Sequence, residues 1–375
     1  MSKHIISAGH ICLDITPTFT NGCYRSIDEA LYPGKLLEVG EAHISIGGSV
    51  ANTGLALRLL GGDVRLIAKI GHDAFGELLL SQLQQHGKTE GIIHSNDAAT
   101  SYSVVLAVPG IDRVFLHNPG ANSEFFAEDI DAETLRNASL IHFGYPPLMR
   151  SMFTDCGAEL ERLMKKAKQC GCATSMDMAA VDADSEAGRA PWKKILERTL
   201  PFVDLFEPSA EELCSMLDPD RLSDWRRRAG TRDVTKILKE EDIQALAERC
   251  IELGAGMVLL KCGAMGMFLK TGSKARLREM CLPLDLRPEL WSQLSIFEPS
   301  YVPDIIISGT GAGDTSIAAF LLSVLNNEKP DMALHLAAAT GACCLGTYDA
   351  LSGLKPIAEL KRRINGGWKK NTSTR

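Results

Sequence analysis

Residues Ile305 to Leu325, reading IIISGTGAGDTSIAAFLLSVL, constrain the fold of this chain more than any other stretch. The apolar run Ile305-Ile306-Ile307 meets a turn of small residues, Ser308 to Gly313. Beyond it, Ile317, Phe320, Leu321, Val324 and Leu325 recur at helical spacing. The pattern predicts a strand, a tight turn and a helix. Such a turn sets the amides of Gly311, Ala312 and Gly313 at a helix N-terminus, where unpaired donors and the helix dipole attract an anion. Asp314 falls in the first helical turn, where a carboxylate either serves chemistry at that anion site or simply satisfies the helix end. The loop does not follow GxGxxG, and GxxxxGK[ST] occurs nowhere in the chain, so neither a dinucleotide fingerprint nor a P-loop is present.

The 375 residues are enough for one large α/β unit or two smaller domains. A formal charge of −7 argues against a general nucleic-acid surface, and the basic cluster Arg226 to Arg228 with Arg232 sits in a mixed-charge stretch that reads as a solvated face. Eleven cysteines in a chain of this length, odd in number and without CxxC spacing, read as reduced thiols. The start, MSKHIISAGH, has no apolar stretch of signal-peptide length, and no run of ~18 apolar residues follows. A soluble, cytoplasmic protein is expected, with no nucleic-acid or membrane partner.

Apolar runs alternate with helical patterns along the chain, which predicts a doubly wound, mostly parallel sheet flanked by helices. His4 to Ile15 reads as a buried strand interrupted at Gly9. Asp14 ends it, either as a turn residue or at the carboxyl edge where such sheets bind ligands. Leu36 to Ile46 alternates as a half-exposed strand and runs into Gly47-Gly48-Ser49-Val50-Ala51-Asn52, a turn into a helix. Val64 to Ile70 is a further strand, after which Asp73 reads as an N-cap. Ser101 to Pro109 and Arg113 to Asn118 form a hairpin across Gly110-Ile111-Asp112. Arg113 and His117 there face either the surface or a ligand, depending on register. Leu140 to Tyr145 and Ala173 to Asp177 are strands ending at the same edge. Ser209 with Glu212 three residues on forms a capping box. Asp218 to Glu241 is highly charged and reads as a surface excursion, and Met257 to Leu260 is a strand before Lys261 and a GxxG turn, Gly263 to Gly266.

GGxxxN at 47–52, Ser209 to Glu212 where NxxE is usual, and GTGAGD at 309–314 occur in an order that resembles the ribokinase-like, or PfkB, kinases of carbohydrates and nucleosides. The resemblance implies one ribokinase-like α/β domain over 1–375 with a small β-sheet lid from strands near 36–46 and 101–118. Residues 276–303 would be an insertion and 366–375 a mobile tail. It makes Asp314 the general base, with Gly311, Ala312 and Gly313 as the anion hole. Asp14, Gly47, Gly48 and Asn52 would bind sugar hydroxyls, and Lys261, Gly263, Gly266 and Thr310 the nucleotide. ATP would be the phosphoryl donor, the Gly346 to Gly353 loop would border its adenine, and Glu212 would position Mg2+ through water. Two departures stand out. Asp177 is followed by Met178 and Ala179 instead of Pro-Asn, and Ser308 stands where Asp often helps to bind a monovalent cation, which makes potassium activation doubtful. A sugar kinase is expected. A nucleoside kinase and a catalytically silent sugar-binding regulator are the alternatives. Exposed lid edges suggest a homodimer.

Overall fold

The computed structural model describes residues 3–20, 22–111, 113–230 and 232–371. Among these residues thirteen strands occur in chain order: β1 His4–Gly9, β2 Cys12–Pro17, β3 Ala42–Gly47, β4 Asp63–Gly71, β5 Ile92–Ser95, β6 Tyr102–Leu106, β7 Val114–Asn118, β8 Leu140–Gly144, β9 Ala173–Asp177, β10 Leu205–Phe206, β11 Met257–Lys261, β12 Gly266–Thr271 and β13 Ser295–Pro299. Nine of them form one sheet in the order β13-β12-β11-β10-β9-β8-β1-β4-β5. The run from β11 to β5 is parallel throughout, and β12 and β13 add two antiparallel strands at one edge.

β8, β9 and β10 are buried along their whole length because both faces of this sheet are covered. Successive residues point to opposite faces. Ile6, Ile141, Val258 and Leu260 therefore join a core with Phe143, Phe206 and Trp225, whereas Ile5, Leu140, Met257 and Leu259 join another with Trp291 and Phe320. Helix Ala312–Leu325 lies in the second layer. Every residue from Asp314 to Leu325 is buried, since helices Ser49–Leu59 and Pro330–Cys344 pack on either side of it. A helix apolar all round is one enclosed by the core.

The run His4 to Ile15 is two strands rather than one. Gly9 has φ +124°, a conformation open to glycine, and a Cβ there would stand 2.4 Å from the Gly144 carbonyl oxygen. The chain turns at this point. β1 stays in the main sheet, and β2 enters a separate four-stranded sheet ordered β3-β2-β6-β7. Asp14 therefore belongs to the lid and not to the carboxyl edge of the main sheet. The lid strand expected over 36–46 is Ala42–Gly47 alone, and Leu36, 97% exposed, precedes it without strand structure. β6 and β7 pair antiparallel as expected, from Tyr102↔Asn118 to Leu106↔Val114. Asp112 of the connecting turn lies outside the described residues.

Other expectations also change. Ile305 to Ile307 form no strand and are exposed, because β13 already occupies the edge next to β12, and Ile307 donates its N–H to Leu345 O at 2.7 Å instead. The charged segment after Asp218 contains helix Pro219–Ala229, which buries Leu222, Trp225 and Ala229 beneath its exposed arginines. Residues 276–303 supply most of helix Lys274–Leu284, helix Pro288–Trp291 and the edge strand β13. The tail is docked through residue 371. Trp368 lies 4.8 Å from the Tyr301 ring, with the Arg363 guanidinium 3.5 Å over it, and Lys370 pairs with Glu298 at 2.6 Å. Residues 372–375 lie outside the described part. No helix among the described residues is long and apolar enough to cross a membrane, and the cysteines whose side chains are described are all free thiols.

Candidate active site

β8 and β4 flank β1 in the main sheet, so the strand order reverses about β1, and the crevice beyond its carboxyl end is where sheets of this kind bind ligands. Around that crevice stand the lid, the N-terminus of helix Ser49–Leu59 and the N-terminus of helix Ala312–Leu325. Gly311 caps the latter at φ 72°, in the left-handed region, and a Cβ there would stand 2.2 Å from the Ala350 Cβ. Only glycine fits. The turn thereby presents first-turn amides, although the Ala312 N–H also makes a long 3.4 Å bond to Gly309 O.

Asp314 is the centre of the site. It is 5% exposed and accepts three hydrogen bonds, from Asn52 Nδ2 to Oδ2 at 3.2 Å, from Thr53 Oγ1 to Oδ1 at 3.2 Å and from Tyr145 OH to Oδ1 at 2.7 Å. Burial pushes its carboxyl above the usual range, against the pull of these donors and of Lys261. Asn52 thus meets Asp314 directly. Thr53 and Tyr145 were not singled out by the sequence. Thr53 directly follows the GGxxxN segment, and Tyr145 ends an apolar strand at the ligand edge.

Lys261, at the end of β11, pairs with Asp177 at the end of β9, Nζ to Oδ1 being 2.6 Å. Both are near the glycine turn, since a Cβ on Gly313 would lie 3.7 Å from the Lys261 ammonium. Burial pushes the Asp177 carboxyl above the ordinary range, with Lys261 opposing the rise and Glu212 and Asp314 adding to it. Lys261 also borders a groove of about 560 Å³ lined by Ser209, Glu211, Arg232, Thr235 and Gly263. Gly266 opens β12, and a Cβ there would stand 2.0 Å from the Glu298 carbonyl oxygen, so strand pairing with β13 accounts for this glycine. Glu212 is engaged in its capping box, accepting from Ser209 N–H at 2.8 Å. Among the described residues no cluster of three or more His, Cys, Asp or Glu is placed to hold a metal ion.

On the lid side, the Asp14 carboxylate packs on Gly47, where a Cβ would stand 2.2 Å from Oδ2, and accepts from Cys12 Sγ at 3.3 Å. Burial raises its pKa. His117 faces inward: its Nδ1 lies 3.0 Å from Ser103 Oγ and its Nε2 lies 3.4 Å from Nε2 of His10. Burial lowers both imidazoles, most at His10, where His117 adds to the effect. Two neutral rings result near pH 7. Arg113 reaches across from the lid and donates to Thr310 Oγ1 beside the glycine turn. Ser308 Oγ donates to the same Thr310 hydroxyl at 2.9 Å.

Beneath the site runs a line of fully buried polar groups. Ser175 Oγ donates to Glu207 at 2.9 Å, His142 Nδ1 lies 2.7 Å from that hydroxyl, and His142 Nε2 lies 3.3 Å from Ser49 Oγ, next to Gly48. Burial pushes Glu207 well above the ordinary carboxylate range and holds His142 down to about 3.

A doubly wound sheet with a β lid, and a buried carboxylate beside a glycine turn, define a ribokinase-like protein. Residues 10–356 match the pfkB family of carbohydrate kinases, and the chain belongs to that family. It is 24% identical over 300 residues to an uncharacterised sugar kinase of Archaeoglobus fulgidus, covering 80% of this chain and 98% of the relative. Fructokinase-2 of Solanum lycopersicum is 30% identical over 176 residues, 46% of this chain and 49% of that protein. In fold, the chain resembles Arabidopsis thaliana ribokinase complexed with ribose and ATP, with a TM-score of 0.72 and 19% identity over 96% of this chain and 98% of the other. Xylella fastidiosa fructokinase with bound ATP gives 0.69 and 19% over 98% and 99%.

Proposed function

We propose that this protein is an ATP-dependent carbohydrate kinase in which Asp314 takes the proton from the sugar hydroxyl that receives the γ-phosphoryl group. The observation that carries the reading is the placement of Asp314: a buried carboxylate held by Asn52, Thr53 and Tyr145 in the first turn behind Gly311. The transferred group is an anion, and the Gly311 to Gly313 amides meet it as donors. The transition state is loose, so positioning and charge compensation dominate. The Lys261 ammonium lies on the same turn and offsets charge there. The acceptor O–H bond breaks late, and its proton passes to Asp314.

Asp14 and Asn52 suit a polyol, because a carboxylate accepts from hydroxyls and an amide both donates and accepts. The neutral His10 and His117 add further groups of that kind. For the nucleotide, Thr310, Lys261 and Gly263 border the phosphate side. The exposed Ile305 and Ile306, with Gly346 placed so that a Cβ would lie 3.4 Å from Ile305 Cγ2, offer an apolar face to a base. Magnesium, bound mainly by the ATP phosphates and reached by Glu212 through water, would neutralise charge on the transferred group. The expected homodimer would form through the lid, whose outer residues Val114, Phe115 and Leu116 are exposed.

The test is ADP release with MgATP across ketoses, aldoses, sugar acids, sugar phosphates and nucleosides, with Asp314→Asn in parallel. Sugar-dependent turnover that falls at least ~10²-fold in the variant supports the reading. Turnover only with nucleosides moves the acceptor class. Sugar binding without ADP release favours a silent regulator.

A further inference from the structure

Tyr145 is held in a backbone conformation that its sequence disfavours. Its φ and ψ are 65° and 41°, the left-handed region, and it precedes Pro146 and Pro147. A non-glycine residue there is strained and persists only where its surroundings over-determine it. The surroundings do so. Tyr145 N–H donates to Asp177 O at 3.2 Å, and Leu148 N–H donates to Tyr145 O at 2.9 Å. The ring stands 6.0 Å from that of His10. The consequence of this posture is the 2.7 Å bond from the phenol to Asp314, the shortest of the three that the carboxylate accepts.

The distribution of those bonds matters. A carboxylate oxygen has two lone pairs in its plane. Among the described residues, Oδ1 receives Tyr145 OH and Thr53 Oγ1, which fills it, whereas Oδ2 receives only Asn52 Nδ2. From this geometry we infer that Tyr145 is a positioning residue for the general base: with Thr53 it saturates Asp314 Oδ1, fixes the carboxylate plane, and leaves Oδ2 as the atom that receives the sugar proton. The inference rests on the kinase reading for its last step only. In that step the acceptor oxygen bonds to the γ-phosphorus as the bond from phosphorus to the ADP oxygen breaks, and the proton of the acceptor O–H moves to Oδ2.

The phenol also sets the strength of the base. A donor to the ionised form favours that form, so the Tyr145 bond works against burial, which disfavours it. The charged and titratable groups that face Asp314 or its Tyr145 phenol are Lys261 from β11, Asp177 from β9, Glu212 from helix Ala210–Leu217 and Cys344 from helix Pro330–Cys344. None of them donates a hydrogen bond to Asp314 among the described contacts, so Tyr145, Thr53 and Asn52 are the groups that hold it.

The experiment is a carbon-13 carboxyl NMR titration of the full chain, with the Asp314 resonance assigned by its loss in Asp314→Asn. It needs no substrate. In Tyr145→Phe the Asp314 midpoint moves to higher pH, and it moves by a smaller amount in Thr53→Val, whose bond is longer. In a sugar-dependent assay the acid limb of kcat/KM moves the same way, and kcat/KM below that limb falls roughly tenfold, the size expected for one hydrogen bond to a charged group. Should Tyr145→Phe fail to fold, 3-fluorotyrosine placed at 145 keeps the shape and strengthens the donor, and the midpoint then moves down. An unmoved midpoint, or a loss of activity equal at all pH values, overturns the inference. Retained turnover in Asp314→Asn instead overturns the base reading and leaves the titration result standing.

Discussion

Replacing Glu207 by Gln should make the protein more stable as the pH rises. Glu207 is fully buried, its carboxyl bonded to Ser175 Oγ at 2.9 and 3.1 Å, and burial raises its pKa well above 4.5. An acid whose folded pKa is raised contributes fully only below its unfolded value, and the folded state loses stability as pH climbs from there to the folded pKa. Within that window the loss is about 1.4 kcal/mol per pH unit, because the folded chain retains one proton that the unfolded chain has released. Gln keeps an acceptor for Ser175 and carries no titration. At pH 5 native and variant should lie within ~1 kcal/mol, the net worth of one neutral hydrogen bond. Above pH 5 the variant's lead should widen by about 1.4 kcal/mol per pH unit for as long as Glu207 keeps its proton in the folded chain. His142, held down to about 3, remains neutral in both proteins, so its titration in the unfolded chain cancels. Urea unfolding of both proteins at half-unit steps from pH 5 to 8 reads the difference. Parallel stability curves would refute the reasoning, since they would mean that Glu207 ionises in place.

Two further predictions concern charge and association. Lys261→Met leaves Asp177, 1% exposed, without the ammonium 2.6 Å away, which should cost about 3 kcal/mol or more where Asp177 is ionised; Lys261→Met with Asp177→Asn should regain most of it in a double-mutant cycle on urea unfolding. The exposed Phe115 and Leu116 on β7 should lie in the lid interface, so Phe115→Asp should shift sedimentation from dimer to monomer at micromolar concentration, and a native protein already monomeric there would refute the dimer.

The fold was legible wherever the sequence pattern has one physical meaning. The uncharged interiors of β1, β8, β9 and β11, buried on both faces, follow from a sheet covered on both sides, and Gly311 and Asp314 follow from the geometry of a helix N-terminus. Legibility stopped where tertiary context decides. Ile305 to Ile307 have the composition of a strand but find the sheet edge already taken by β13. Ile11 to Ile15 read as a continuation of β1 because nothing local says that the strand changes sheets after Gly9. Trp225 was masked by the charged residues on the opposite face of its helix. Within the site, Asp314, Asn52 and Lys261 converge as the motifs suggest. Tyr145 could not be assigned from its strand-end position, since its reach to Asp314 depends on a left-handed backbone that a tyrosine before proline does not advertise.

Phosphorus-31 NMR of the full chain incubated with MgATP and a mixture of ketoses and aldoses reads the phosphoryl transfer itself. A new sugar phosphomonoester signal should grow with ADP in the native protein, and none with Asp314→Asn. Conversion of ATP to ADP and inorganic phosphate alone, or an equal phosphomonoester signal from the Asn variant, would contradict a sugar kinase with Asp314 as its base.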